Sequence, residues 1–235
     1  MADRQSGTPP PGGLARRAAR ILLDPRTVYT GLSIRPRALG MMLLVPALTA
    51  SALVTFVSTD MGRGSILGGV NRLLGAAGAS SGTMVHGVVH RMVAETPWAV
   101  ALIPCVFMPL GILGVAWLLH AVCSLGMGGR ATRHQTLALV AHASRIVAIG
   151  VMFTIALGLT RGVPTLIRVP SMVVRAAPVA LAPTLGALDP FIVWWTVNLS
   201  IGLGVLHGWS TRPIVIVLLA TYGALLAALA PHVGV

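Results

Sequence analysis

Charge and apolarity are kept apart along this chain. Five apolar runs are separated by segments that hold nearly all the arginines. The first, about Ala38 to Val57, is 20 residues without a charge, enough for roughly 30 Å of helix and a bilayer core. Pro46 is expected to kink it. The second, residues 98–123, opens on Trp98, a residue suited to the membrane interface. The third covers residues 137–160. The fourth, residues 190–207, opens with "DPFIVWW", in which Asp189 suits the N-cap and Pro190 the first helical position. The fifth covers residues 214–230. The pattern predicts an all-α, polytopic membrane bundle of five transmembrane helices over residues 21–235. Residues 1–20 are polar and rich in Pro and Gly, and are expected to form a disordered cytoplasmic tail. They read as a retained tail, not a cleaved leader. "LARRAARILL", Leu14 to Leu23, has the makeup of an amphipathic surface helix.

Two linkers are themselves apolar. Residues 61–97 mix Gly-rich stretches with the helical pattern Val85, Val88, Val89, Met92 and Val93, and residues 163–187 carry four prolines. Both are expected along the interface. Spans four and five are joined only by "HGWSTRP", which requires an antiparallel hairpin. Small residues recur at four-residue spacing on both, Ser200, Gly204 and Gly208 facing Ala220, Ala224 and Ala228. That spacing reads either as a close helix contact in lipid or as ordinary Ala/Gly richness.

Composition sharpens this picture. Only 9% of the 235 residues are charged and 55% are hydrophobic, so the chain cannot clothe a water-facing surface. Every basic residue apart from histidine is arginine, which points to a GC-rich bacterial genome. The net charge of +12 raises nucleic acid as a partner, but the arginines flank apolar runs instead of mixing with aromatics, so none is expected. Placing the N-terminus in the cytoplasm puts ten arginines inside and six outside. This favours a multi-pass protein of the bacterial cytoplasmic membrane with its C-terminus outside. Cys105 and Cys123 lie 18 positions apart in one run, too far apart for a bridge within a helix.

Candidate chemistry is sparse. "GASSG", Gly78 to Gly82, matches a nucleophile elbow but lacks the strand that motif needs. His86 and His90 have metal-ligand spacing with Glu95 nearby, but Gly87 stands where a zincin needs glutamate. No carboxylate falls inside a span, which disfavours coupled cation transport and aspartyl proteolysis. No cofactor, metal or catalytic residue is expected. The exception is "LALVAHASRIVAIG", where His142 and Arg145 lie within span three. His134, Ala138, His142 and Arg145 share one helical face. Arg145 either snorkels or packs against neighbouring helices, or it forms an anion or lipid-phosphate site. With Arg130 and Arg133 just ahead of the span, these four residues are the candidates for lipid or anion contact.

Four patches resemble the Yip family of Ypt/Rab-interacting membrane proteins, in its bacterial branch. They are "DPRTVYTGLSIRPRA" with Pro25, Tyr29, Ile34 and Pro36; "LGMGGRATRHQTLALVAHAS" with the pair Gly128 and Gly129; "DPFIVWWTVNLSIGLGVLHG"; and "STRPIVIVLLATYGALL". The likeness covers about residues 20–230. It implies five helices, a cytoplasmic N-terminus and no catalytic residues. The expected partners are the lipid bilayer with its anionic lipids, other membrane proteins or further copies of the chain. Arg145 departs from it, since relatives place a proline near that point. The expected role is non-enzymatic membrane organisation through lipid or protein contacts. The alternative is a small channel or transporter with an anion route past His142 and Arg145.

Overall fold

A computed structural model describes residues 25–34, 36–76, 84–100, 102–162 and 186–233. All regular structure among them is helical. Five helices are long and apolar enough to cross a membrane. They are preceded by α1 (Pro25–Ile34), which starts at a proline and buries Tyr29 and Leu32. Span one is α2 (Leu39–Val57). Pro46 lies inside it and is buried, and the nearby Thr49 hydroxyl donates to the Val45 carbonyl at 2.9 Å, so this buried hydroxyl is satisfied.

Two helices of the first linker follow, α3 (Asp60–Ala76) and α4 (Met84–Glu95), then the short α5 (Pro97–Val100). They pack under the end of α2, where Val57, Val93 and Val100 form a small core with Leu53, Ile66 and Leu67. The periodicity read along residues 85–93 thus belongs to a helix, although Val88 is exposed and Val93 carries the contact. "GASSG", the N-terminal tail with its Leu14–Leu23 stretch, and nearly all of the 163–187 linker lie outside the described residues.

Span two is α6 (Leu102–His120), continued by a π-helical turn, Ala121–Gly126. Span three is α7 (Arg133–Ala143) and α8 (Arg145–Arg161), which meet at Ser144. The Ser144 N–H donates to the Val140 carbonyl and Ala148 N–H to the Ser144 carbonyl, so the two halves act as one rod. It begins four residues before the apolar run, at Arg133, because Thr132 and Gln135 form a reciprocal capping box. Span four is α9 (Pro190–His207), with the Asp189 carboxylate accepting from Phe191 N–H at 2.7 Å. It ends at Gly208, whose φ of +72° is the left-handed cap that glycine takes without strain. Span five is α10 (Thr211–Val233).

Span three is the axis of the bundle. It packs against α2, α6 and α9, and half of its apolar window is buried. Span five touches α9 and, weakly, α3; none of its window is buried. The main core runs from Tyr29 and Leu32 through Ile112 and Ala116 to Ala138–Val140, Leu199 and Leu203. It therefore lies toward the end where α1 docks. Leu43, Phe107, Leu110, Trp117, Ile216 and Val217 face outward, the apolar coat that lipid requires.

The hairpin of α9 and α10 forms, but the two small-residue stripes do not face each other. Ser200 and Gly204 are buried, whereas Ala220, Ala224 and Ala228 are exposed. A Cβ on Gly204 would meet Thr211 Oγ1 at 2.8 Å and the Trp209 carbonyl at 3.0 Å, so that glycine makes room for the hairpin turn. Gly208 is the cap just described. The contact face of α10 is larger, with Ile214 and Leu218 packed on the core. Branched side chains fill the space beside α9 that alanine would leave open.

Candidate functional site

Hydroxyls and amides inside the bundle mostly turn back on their own helices. Ser144 Oγ donates to the Val140 carbonyl, Ser200 Oγ to Thr196, Thr196 Oγ1 to Ile192 and Asn198 Nδ2 to Trp194. Such bonds satisfy the groups without linking helices. His142 follows the same habit, its Nδ1 lying 2.9 Å from the Ala138 carbonyl.

Arg145 does not. It is half-buried, and its Nε is buried with no hydrogen-bond partner among the described residues. His142 and Tyr29 both lie within electrostatic range of it. Tyr29 arrives from α1, 1% exposed, with a phenol oxygen that also lacks a partner. Burial pushes this phenol up to about 12, and the positive charge of Arg145 opposes that rise. Tyr29 is thus a neutral phenol at ordinary pH and supplies no counter-charge. Arg145→Gln is expected to leave the protein folded and raise its melting temperature by a few degrees, about 1 kcal/mol, because a neutral amide is cheaper to bury than an unpaired charge. Thermal melts in detergent check this; a clear fall would mean that the guanidinium holds something together.

Arg130 and Arg133 are exposed at the α6–α7 connection. The four sequence candidates therefore form two groups, His142 with Arg145 in the interior and Arg130 with Arg133 on the bundle end. Around the second group the fold gathers residues that the sequence did not single out. His120 and His207 come within electrostatic range of each other. His207 stacks on Trp209 with ring centroids 4.5 Å apart. Gly129 of the glycine pair explains how this fits. Its N–H donates to the Cys123 carbonyl at 2.9 Å, and a Cβ there would collide with the His207 ring. His120 Nδ1 and both His207 ring nitrogens are buried without partners among the described residues. No group of three metal-ligating side chains occurs among those residues. His90 is exposed on α4.

Two clefts open beside the start of α7. One, of about 400 Å³, is lined by Leu113, Gly114, Trp117, His120, Arg133 and Leu137. The other, of about 570 Å³, is lined by Arg37, Ala38, Leu39, His134 and Leu137 among others. Neither cleft is lined by His142 or Arg145.

The two ends of the bundle differ in charge. Among the described residues, the end with α1 and the α6–α7 and α9–α10 connections carries Arg26, Arg37, Arg130, Arg133 and Arg212, and no carboxylate. The opposite end mixes Arg63, Arg72, Arg91 and Arg161 with Asp60, Glu95 and Asp189. Arg63 and Asp60 form an ion pair there at 3.1 Å. At the α1 end, α1 is tied down by Gln135 Nε2 donating to the Ser33 carbonyl at 2.7 Å and by Arg26 reaching Thr211 Oγ1 at 3.5 Å.

A family model described as Yip1 domain matches residues 19–230. No curated protein and no solved structure matches the chain.

Proposed function

The chain belongs to the Yip1-domain family, and from that premise we propose that it is a non-enzymatic, multi-pass protein of a bacterial cytoplasmic membrane that organises its surroundings by gathering anionic lipid. The observation that carries this reading is the excess of arginine at one bundle end, where Arg26, Arg37, Arg130, Arg133 and Arg212 gather and the carboxylate nearest to them in sequence is Asp24, just ahead of α1. Arginines at the headgroup level attract anionic lipid at about 1 kcal/mol each. The same asymmetry supports a cytoplasmic N-terminus, because arginine-rich ends stay inside. Arg130 and Arg133 are the exposed lipid-contact residues on this reading, and His142 and Arg145 are structural. Protein partners or further copies of the chain have the outward apolar faces available to them.

The test is reconstitution into vesicles of mixed phosphatidylglycerol and phosphatidylcholine, with energy transfer from the tryptophans to labelled lipids. Enrichment of the anionic lipid around the protein is expected. Equal transfer to both lipids would remove this function. An anion route past His142 and Arg145 would instead appear as chloride or phosphate flux through the same vesicles.

Orientation is checked separately. An alkaline phosphatase reporter fused after Val235 is expected to be active, since five spans carry a cytoplasmic N-terminus to an outside C-terminus. A well-expressed but inactive fusion would reverse the assignment.

A further inference from the structure

The two clefts at the start of α7 share one side chain, Leu137, and so lie on either side of it. Each is lined by one arginine and one histidine together with apolar side chains. Arg133 and His120 line the first with Leu113, Gly114 and Trp117; Arg37 and His134 line the second with Ala38 and Leu39. Arg133, His134 and Arg37 are exposed and have no ion-pair partner among the described residues. His120 adds a buried Nδ1 without a partner among the described residues. Trp117 is 69% exposed, so the first cleft opens sideways toward lipid, not into water.

Resting on the lipid reading above, we propose that this double cleft is a binding site for one anionic glycerophospholipid. Its phosphate lies among Arg133, His134 and Arg37, and its two acyl chains run down either side of Leu137. The chemistry of the lining argues for this occupant. A small soluble anion would use the arginines but leave the apolar walls uncovered. An uncharged lipid would cover the walls but leave Arg37 and Arg133, which form no ion pair among the described residues, without a counter-charge. A diacyl phospholipid with net negative charge satisfies both halves. Two clefts divided by one leucine match two chains leaving one glycerol. His120, the last residue of α6, lies at the arginine end of the first cleft and adds a polar ring beside the headgroup.

The experiment uses the full chain in mild detergent, incubated with equal amounts of dioleoyl phosphatidylglycerol and dioleoyl phosphatidylcholine, and native mass spectrometry to count retained lipid. Wild type is expected to retain one phosphatidylglycerol in preference. Arg133→Gln should lower its retention about fivefold, the ratio expected for one arginine at the headgroup level. Gly114→Leu supplies an independent arm. A Cβ on Gly114 meets nothing within 4 Å, so the side chain enters the cleft without disturbing the helices. It should expel the lipid while the melting temperature holds. Arg212→Gln, at the same end but outside both clefts, should retain lipid as wild type does. Equal loss from Arg212→Gln and Arg133→Gln would overturn the site in favour of diffuse attraction. So would unchanged retention in Gly114→Leu, or, should that variant fail to fold, unchanged retention in Arg133→Gln alone. If wild type prefers phosphatidylglycerol but the cleft variants match it, this site is wrong and the lipid function stands. If wild type shows no preference, both fall.

Discussion

Gly202→Leu is expected to lower the stability of the detergent-solubilised protein by about 3 kcal/mol or more, a loss at the upper end for overpacking a filled interior. Gly202 sits on the buried face of α9, and a Cβ added there would run into the Cδ1 of Leu139. Leu139 cannot move aside easily. It is 0% exposed and forms part of an unbroken buried stretch, Ala138 to Ala141, in the first half of span three. The reciprocal change Leu139→Ala should also destabilise, by roughly 2–5 kcal/mol, through the void it leaves against Gly202. The two effects belong to one contact, so they should not add. The double variant, which moves the leucine across the interface, is expected to recover on the order of 1–3 kcal/mol relative to the sum. Melting temperatures of the four proteins decide the matter. Strict additivity would mean that spans three and four are not held by this contact.

The second large effect is an alkaline loss of stability carried by Tyr29. Its phenol is pushed up to about 12 from the ordinary value of 10.0, first by burial, with Arg145 opposing. Between those two values an unfolded chain has lost the phenolic proton while the folded protein keeps it. The unfolded state then binds fewer protons, so stability falls as pH rises through this window. The stabilisation is complete below pH 10 and lost by about pH 12, a change on the order of 2–3 kcal/mol. Tyr29→Phe removes the titrating group and should flatten that part of the curve. At neutral pH the same variant should melt at or slightly above wild type, since the lost hydroxyl is buried without a partner among the described residues. Melts of both proteins from pH 9 to 11.5 make the comparison. Parallel curves would show that the ring is not held in the core.

How much of this was legible in the sequence follows the range of the forces involved. The five spans were readable because the hydrophobic requirement of a bilayer acts on each segment by itself. Asp189 and Pro190 announced the start of α9 because capping is local. The capping box of Thr132 and Gln135 is present in the sequence too, as "TRHQ", yet hydropathy alone puts the start of span three at the apolar run, four residues late. Hydropathy outweighed a cap there that the polar residues of α7 were already spelling out. The lone charge of Arg145 could be flagged from its position, since a cation in an apolar run is conspicuous wherever the helix sits.

What the sequence could not decide is which helical face meets which neighbour. In lipid the outside of a span is as apolar as its inside, so the periodicity that sorts buried from exposed in water is muted. That is why the alanines of span five read as a contact face and lie exposed, while Gly202, at no conspicuous spacing, receives Leu139. The polar groups of the site come together only through long-range packing. Tyr29 comes within electrostatic range of Arg145 because α1 folds onto the bundle end, and the His207 ring comes within range of His120 at a place where Gly129 leaves it room. Span order, apolar length and the excess of arginine at one end were determined by the sequence through local transfer energies. The central place of span three and the double cleft beside Leu137 were decided by tertiary packing, where side-chain shape selects among faces that hydrophobicity leaves equivalent.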